Sequence, residues 1–248
     1  MQQYFIEQPA TLGDVIEMNK EQAHHIGHVM RMRAGDVIRI ADSHAHLFYA
    51  NVVFHGNTVL AQIQEPIEDH TRTRVSITLA QCLIKGEKWD YLLQKSAELG
   101  VERIYPFTSS RCVVKTKDDK LDKKMQRWNK ILLEACEQCK RSTLVALQEP
   151  DKLQELIHIE ADLKLIAYEN ADIHAQRLCD ILPKYPDSKS IVVAVGCEGG
   201  FSPEEVTFLV EHGYHCVSLG SRILRAETAA LSLINSISFY YDMVGDAS

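Results

Sequence analysis

From position 75 onwards, strand-like and helix-like segments alternate, and this alternation constrains the fold more than any other feature of the chain. Residues 163–168 and 191–195 are short, continuous apolar runs, typical of parallel strands that are buried on both faces. A capping box of Ser202 and Glu205, with Pro203 at the first helical position, predicts a helix that begins a short loop after the second run. We therefore predict an α/β domain whose parallel sheet is covered by helices on both faces.

The elements of this region can be placed approximately from their patterns. Strands are also predicted at 75–83, 103–108 and 215–219, and helices at 88–99, 119–140 and 226–241.

The first seventy residues have a different pattern. Short alternating or apolar runs occupy 37–40, 47–54 and 58–63, and the Gly56-Asn57 pair between the last two runs is a strong hairpin signal. One short helical stretch is predicted around 20–32. The polar run 65–72 is interpreted as a linker. We therefore predict a small, mostly β domain over 1–70 and the α/β domain over 74–248.

Composition excludes several classes of protein. The chain of 248 residues is 46% hydrophobic and 25% charged, which is typical of a globular protein and not of a disordered one. No apolar run approaches the roughly 18 residues of a membrane helix, and the first residues lack the pattern of a secretory signal. Seven scattered cysteines do not form a disulfide framework, so a cytoplasmic location is expected.

Basic residues are concentrated in two places, although the formal net charge is −7. Residues 111–130 contain eight Lys or Arg against three Asp, and a second cluster lies near the N-terminus. Such clusters can bind RNA phosphates, and the alternative is a solvated helix face. The candidate RNA-binding residues are His28, Arg31, Arg33, Arg111, Lys115 and Arg127.

Several familiar motifs are absent from the sequence. There is no phosphate-binding P-loop, no Gly-x-Gly-x-x-Gly and no His-Glu-x-x-His. Cys136 and Cys139 form a lone pair within a predicted helix, which favours structural thiols over a metal or redox site. We predict no metal site.

Two glycine-containing loops each follow a predicted strand and precede a predicted helix. They span 196–202 and 219–225, and the first contains three glycines in five residues. In open parallel sheets, ligands bind at the carboxyl ends of the strands, so both loops are candidate ligand contacts made largely through the backbone. The alternative for the first loop is a tight strand-to-helix turn.

Taken together with the segments 28–36, 85–101 and 134–141, these loops resemble the bacterial RsmE family. Its members are 16S ribosomal RNA uridine-N3 methyltransferases of the SPOUT class. The resemblance covers essentially the whole chain in the same order. One departure is Cys197, where the family has proline in its Gly-Pro-Glu-Gly-Gly loop.

The resemblance implies a trefoil-knotted SPOUT domain behind an N-terminal PUA-like β-barrel, and a homodimer. The sequence itself predicts neither a metal nor a membrane partner. It implies S-adenosylmethionine as cofactor and 16S ribosomal RNA within the small ribosomal subunit as substrate. The residues expected to wrap the cofactor are Gly196, Gly199, Gly200, Leu219, Gly220, Ile223 and Leu224.

Methylation at uracil N3 requires loss of the N3 proton and an exposed base. Arg225 is the candidate for stabilising the resulting negative charge, and Glu198 and Thr228 are candidates for accepting the proton or holding a group. Structural alternatives are an ion pair, a solvent-facing carboxylate and a helix-terminus hydroxyl. Two other functions stay open: a SPOUT ribose 2′-O-methyltransferase, and a non-catalytic ribosome-assembly protein.

Overall fold

The computed structural model describes residues 1–114, 121–168 and 175–244. The chain divides into two compact units. Unit 1 comprises Met1–Arg72 and Cys136–Leu144, and unit 2 comprises Thr73–Ala135 and Val145–Ser248.

Unit 1 is built on a five-stranded sheet with the order β1-β3-β4-β5-β2. The bounds are β1 Gln3–Phe5, β2 Val15–Glu17, β3 Val37–Ala41, β4 Leu47–His55 and β5 Thr58–Ile67, with helix α1 at Lys20–His24. Alternate strand residues such as Ile38, Ile40 and Val52 are fully buried and form its core. The mostly β prediction for this region is confirmed.

The predicted hairpin and the predicted linker have different outcomes. β4 and β5 pair as an antiparallel hairpin, and Gly56 and Asn57 connect them. The linker prediction was wrong at its start, because β5 continues to Ile67 and Pro66 lies opposite Phe48. β2 pairs with β5 at Leu60–Gln62, so Pro66 lies where β5 has a strand on one side, a position at which sheets tolerate proline.

The helical stretch near the N-terminus is shorter than predicted. α1 begins with a capping box of Asn19 and Gln22 and passes into a π-helix at His25–Val29. Arg31 then takes a left-handed conformation with φ of 53°, which ends the helix before residue 32.

Residues 136–144 complete unit 1. The amide of Gln3, which is fully buried, donates to the carbonyl oxygen of Arg141 at 2.6 Å. Arg72 Nε also donates to Ser142 Oγ at 3.3 Å. The N-terminal strand therefore depends on an acceptor that lies 138 positions later in the chain.

Asp42 organises the turn between β3 and β4. Its side-chain oxygens accept hydrogen bonds from the backbone N–H groups of Ala10, His44 and His46 at 3.1, 2.9 and 2.7 Å. Burial alone would raise the pKa of the Asp42 carboxyl, but these hydrogen bonds outweigh it and hold the pKa below its ordinary value.

Unit 2 is built on an eight-stranded sheet with the order β11-β13-β10-β12-β6-β7-β8, with β9 also paired to β7. The strands are β6 Ser76–Cys82, β7 Arg103–Thr108, β8 Ala146–Leu147, β9 Asp151–Lys152, β10 Leu163–Ala167, β11 Gln176–Arg177, β12 Ser190–Val195 and β13 Tyr214–Ser218. The α-helices are α2 Glu87–Glu98, α3 Leu121–Gln138, α4 Leu178–Ile181, α5 Pro203–Glu211 and α6 Ala226–Phe239. Short 3-10 helices lie at Leu153–His158 and Leu182–Lys184, and a π-helix at Tyr240–Val244 follows α6.

The predicted parallel sheet is confirmed. Every strand pair found in unit 2 within the described ranges is parallel. The residues of β12 from Ile191 to Val195 are all buried, as continuous apolar runs require. α5 begins at the predicted capping box, in which Ser202 and Glu205 bond reciprocally.

The strand order places three loops side by side. β10 lies between β13 and β12 and is parallel to both, so the carboxyl ends of all three strands lie at one edge of the sheet. The loops that leave these ends begin at Tyr168, Gly196 and Leu219. Such an edge is where open α/β sheets bind ligands.

Two further features bear on function. Among the described residues, no helix is both long and apolar enough to cross a bilayer. The same residues contain no group of three or more His, Cys, Asp or Glu side chains arranged to hold a metal ion.

Candidate functional site

A cavity of about 820 Å³ opens at the edge of the unit 2 sheet where β10, β12 and β13 end. Its walls come from the first glycine loop, the end of β10 and the start of α6. Its volume falls within the roughly 300–1,000 Å³ range of small-molecule sites. A cavity of about 30 Å³ adjoins it and is lined by Leu219 and Gly220, while Tyr168 and Leu224 line both.

The glycine loop is too tight for side chains at two positions. A Cβ atom on Gly196 would lie 2.9 Å from the carbonyl carbon of Gly200, and one on Gly199 would lie 3.2 Å from Cβ of Arg111. Gly200 adopts a φ of 64°, and its N–H donates to the Cys197 carbonyl at 2.9 Å. The glycines are therefore required by the turn, and they expose backbone groups to the cavity.

Arg111 and Gln81 hold the loop from outside. Arg111 Nη1 donates to the carbonyl oxygens of Gly199 and Phe201, both at 3.0 Å. The amide of Gln81, which is fully buried, donates to the carbonyl of Gly196 at 3.0 Å. These bonds fix the loop before any ligand binds, which lowers the entropic cost of binding.

Glu205 stabilises the end of the glycine loop at Ser202. One carboxylate oxygen accepts from the backbone N–H of Ser202 at 2.9 Å, and the other accepts from Ser110 at 2.7 Å. The Cys197 thiol donates to the Arg111 carbonyl at 3.3 Å. Cysteine at position 197 therefore supplies a hydrogen bond that proline could not.

A second cysteine near this segment is held as a neutral thiol. Burial raises the pKa of the Cys82 thiol well above its ordinary value, and Cys82 Sγ lies 3.4 Å from Ser109 Oγ. A buried, protonated thiol is a poor nucleophile, so Cys82 has a packing role.

The second loop contributes apolar surface and a backbone bend. Gly220 has a φ of 112°, a conformation that favours glycine. Ile223 lines the larger cavity and is 82% exposed. An apolar side chain held open beside a cavity gains burial when a ligand packs on it.

Of the predicted catalytic residues, two line the cavity and one does not. Arg225 is the N-cap residue of α6, and its guanidinium makes no hydrogen bond or ion pair with another described residue. Glu198 is exposed and accepts from the backbone N–H of Lys85 at 3.4 Å. Thr228 is exposed on the first turn of α6 and is not part of the cavity wall.

All seven predicted cofactor residues contact one of the two cavities. Gly196, Gly199, Gly200, Ile223 and Leu224 line the larger one, and Leu219 and Gly220 line the smaller one. The sequence prediction missed Lys88 and Tyr168, which also line the larger cavity. Lys88 belongs to the 85–101 segment used for the resemblance, but Tyr168 follows β10 in no recognisable motif.

The N-terminal RNA-binding candidates are accessible in unit 1. His28 stacks on His24 with ring centroids 4.9 Å apart, and Arg31 and Arg33 are exposed on the following turn. All three side chains are therefore accessible to solvent.

The candidates in unit 2 have different environments. Arg111 uses its guanidinium to hold the glycine loop, and Arg127 forms an ion pair with Asp90. Lys115 lies outside the described residues. Arg127 is therefore an exposed cation within the basic stretch 111–130, whereas Arg111 stabilises the glycine loop.

Comparisons with known proteins identify the family of the chain. A family model described as an RNA methyltransferase domain matches residues 71–238, and one described as an RNA methyltransferase PUA domain matches residues 19–70. Ribosomal RNA small subunit methyltransferase E of Bacillus subtilis is 32% identical over 254 residues, which cover 98% of each chain. The chain belongs to the ribosomal RNA small subunit methyltransferase E family.

Solved structures of this family have the same fold. Ribosomal RNA small subunit methyltransferase E from Neisseria gonorrhoeae, bound to S-adenosylmethionine, is 30% identical with a TM-score of 0.89 and covers 98% of this chain and 100% of its own. A methyltransferase from Legionella pneumophila, also in complex with S-adenosylmethionine, is 32% identical with a TM-score of 0.84 and covers 96% and 98%. The predicted SPOUT-type α/β domain with an N-terminal PUA domain is thereby confirmed.

Proposed function

We propose that this protein transfers a methyl group from S-adenosylmethionine to N3 of a uridine in 16S ribosomal RNA. The observation that carries the proposal is the preformed cavity at the glycine loop, lined by an arginine, Arg225, that has no side-chain partner among the described residues. End-to-end similarity to methyltransferase E relatives supports it. We expect the protein to act in the cytoplasm, where small subunits are assembled.

The cavity fits S-adenosylmethionine in size and chemistry. It is lined by the backbone of Gly196, Gly199 and Gly200, and no phosphate-binding motif accompanies these glycines. Ile223 and Leu224 offer apolar surface for an adenine ring. When bound, the cofactor supplies a methyl group on a good leaving group, so the protein needs to orient the base and control its charge.

Arg225 and Glu198 are the proposed chemical groups. The guanidinium of Arg225, which no other described residue engages, can bind a uracil oxygen at the cavity and stabilise the charge left when N3 loses its proton. Glu198 carries a carboxylate at the same cavity and is the proposed proton acceptor. Thr228 lies one turn from Arg225 and is proposed only to support the start of α6.

RNA is proposed to bind both units. His28, Arg31 and Arg33 form an exposed basic cluster in unit 1, and Arg127 and Lys115 belong to the basic stretch of unit 2. Phosphate contacts position a nucleic acid without reading its sequence, so uridine selection is left to the cavity. A folded small-subunit particle would engage both clusters at once.

The final helices support the proposal of a homodimer. Phe239 at the end of α6 is 59% exposed and Met243 in the following π-helix is 74% exposed. Neighbouring large apolar side chains exposed at one end of a helix are typical of an interface. A second copy of the chain is the proposed cover.

The activity is tested with small ribosomal subunits from a strain that lacks the corresponding gene. Subunits incubated with the protein and labelled S-adenosylmethionine are digested to nucleosides and separated by mass spectrometry. We expect labelled 3-methyluridine. Labelled 2′-O-methyluridine would indicate the ribose methyltransferase, and cofactor binding without any labelled nucleoside would indicate an assembly protein.

A further inference from the structure

We propose that Lys88, held by Glu227, is a second cationic group of the methyl-transfer cavity and binds a carbonyl oxygen of the target uracil. This inference rests on the proposed function and adds a residue that neither the sequence motifs nor the glycine loops assign. Lys88 lies on the first turn of α2 and lines the cavity that also contains Arg225.

The geometry of the pair keeps the ammonium available. Lys88 Nζ lies 3.9 Å from Glu227 Oε1, which is close enough for attraction but too long for a hydrogen bond. The Lys88 side chain is 41% exposed, whereas that of Glu227 is 12% exposed. The carboxylate therefore anchors the lysine from within the protein, and the three N–H groups of the ammonium are left to contact a ligand.

Among the described residues, the ion pair with Lys88 is the one side-chain interaction found for the Glu227 carboxylate. Its Oε2 atom is buried without a hydrogen-bond partner among the described residues. A buried carboxylate oxygen without a partner is costly, and it is tolerated at sites that need a charge in a fixed place. The nearby ammonium of Lys88 is the charge that Glu227 can hold.

The other cations at the cavity cannot replace Lys88. Arg111 donates to two loop carbonyls, and Arg225 is a single guanidinium at the start of α6. Uracil N3 lies between two carbonyl groups, and both oxygens gain negative charge when the N3 proton leaves. One cation for each oxygen would stabilise this charge better than one alone.

The step balances without any further reactant. The N3 proton passes to a base, the N3 lone pair forms the new N–C bond, and the bond from the methyl carbon to sulfur breaks with its electrons left on sulfur. Lys88 keeps all its protons throughout. It donates a hydrogen bond that strengthens as the oxygen becomes negative, which is why it would act on the rate and not on cofactor affinity.

The test compares Lys88→Met with Lys95→Met. Lys95 lies on the same helix and pairs with Glu98 at 2.8 Å, and it does not line the cavity. Methyl transfer is measured in single turnovers on small subunits that carry uridine or 5-fluorouridine, whose N3 proton is more acidic. S-adenosylmethionine affinity is measured by calorimetry for each variant.

Lys88→Met should slow transfer to uridine about 100-fold, the effect typical of losing one charge-stabilising donor. The loss should be clearly smaller on 5-fluorouridine, cofactor affinity should be unchanged, and Lys88→Arg should recover part of the rate. Lys95→Met should match the wild type. Glu227→Gln should slow transfer in the wild-type background and have no further effect in Lys88→Met, because both changes remove one interaction.

Two results would overturn the inference. A cofactor affinity that falls in proportion to the rate would show that Lys88 holds S-adenosylmethionine, and an equal loss on both bases would show that it does not stabilise negative charge. If the wild type itself forms no 3-methyluridine, the proposed function fails, and this outcome is distinct from either result for Lys88.

Discussion

Replacing Gly196 by alanine should weaken S-adenosylmethionine binding by distorting the first glycine loop. The added Cβ would lie 2.9 Å from the carbonyl carbon and 3.0 Å from Cα of Gly200, whereas ordinary contact begins at 3.4 Å. Backbone atoms would have to separate by about 0.5 Å, since no flexible side chain is present to move. Overpacking of this kind costs about 1–3 kcal/mol. If the bound loop bears that cost, the dissociation constant rises about 5- to 150-fold.

Substitutions at two other glycines serve as comparisons for the affinity loss of Gly196→Ala. At Gly199 the added atom meets Cβ of Arg111 at 3.2 Å, so Gly199→Ala should cost less than Gly196→Ala, whereas the larger Gly199→Val should block the cavity. At Gly27 the nearest atom is 3.9 Å away on Phe54, so Gly27→Ala serves as the control. Calorimetric titration of each variant, with circular dichroism to verify folding, gives the comparison. A folded Gly196→Ala variant with wild-type affinity would refute the reasoning.

Three further predictions concern the rest of the chain. Arg31→Glu with Arg33→Glu should weaken binding to small-subunit particles and flatten its salt dependence in filter-binding assays, with S-adenosylmethionine affinity unchanged; wild-type particle binding across salt would exclude unit 1 from RNA recognition. Asp42→Asn should lower the free energy of unfolding by about 2 kcal/mol at pH 7, because charged hydrogen bonds to backbone N–H groups are lost. Since the folded-state pKa of Asp42 is depressed, its contribution is fully present above the ordinary carboxyl pKa of 3.8, declines below it and is lost once the pH falls through the lower folded-state pKa. The effect of the substitution in urea titrations should therefore be smaller at pH 3 than at pH 7, and an equal effect at both would contradict the assignment. Phe239→Asp should convert the proposed dimer to a monomer in light scattering, and a wild-type protein that is already monomeric at micromolar concentration would contradict the proposed interface.

Local chemistry explains which elements the sequence could predict. The prediction that a helix starts at Ser202 was correct, because both partners of its capping box lie within four residues of sequence. The continuous apolar run of β12 was equally informative, because burial on both faces leaves no polar position. The error at Pro66 arose because the polar run from residue 65 was interpreted as a linker, and only the pairing with β4 shows that β5 continues through the first part of that run.

The site was predictable where motifs mark it and not elsewhere. The three glycines at 196–200 predict a loop from the sequence alone, because closely spaced glycines favour a tight turn of the backbone. Tyr168 reaches this cavity because β10 lies between β12 and β13, and Lys88 reaches it because β6, the strand before its helix, pairs with β12. Segment lengths do not determine this strand order. The sequence could not predict that Arg111 stabilises the glycine loop, because the two carbonyl groups that accept its hydrogen bonds lie about ninety positions later in the chain.

The hydrogen bond from Gln3 to the Arg141 carbonyl has a consequence for biosynthesis. When Arg72 has been added, the five strands of unit 1 all exist, but Cys136–Leu144 do not. At about 5–20 residues per second, the ribosome needs about 4–14 s more to reach residue 144. During that interval the side-chain amide of Gln3 has no native acceptor, and the N-terminal unit stays incomplete while α2, β7 and most of α3 are synthesised. The nascent chain therefore cannot finish its first unit before starting the second, and its folding order departs from the usual sequence of one domain after another.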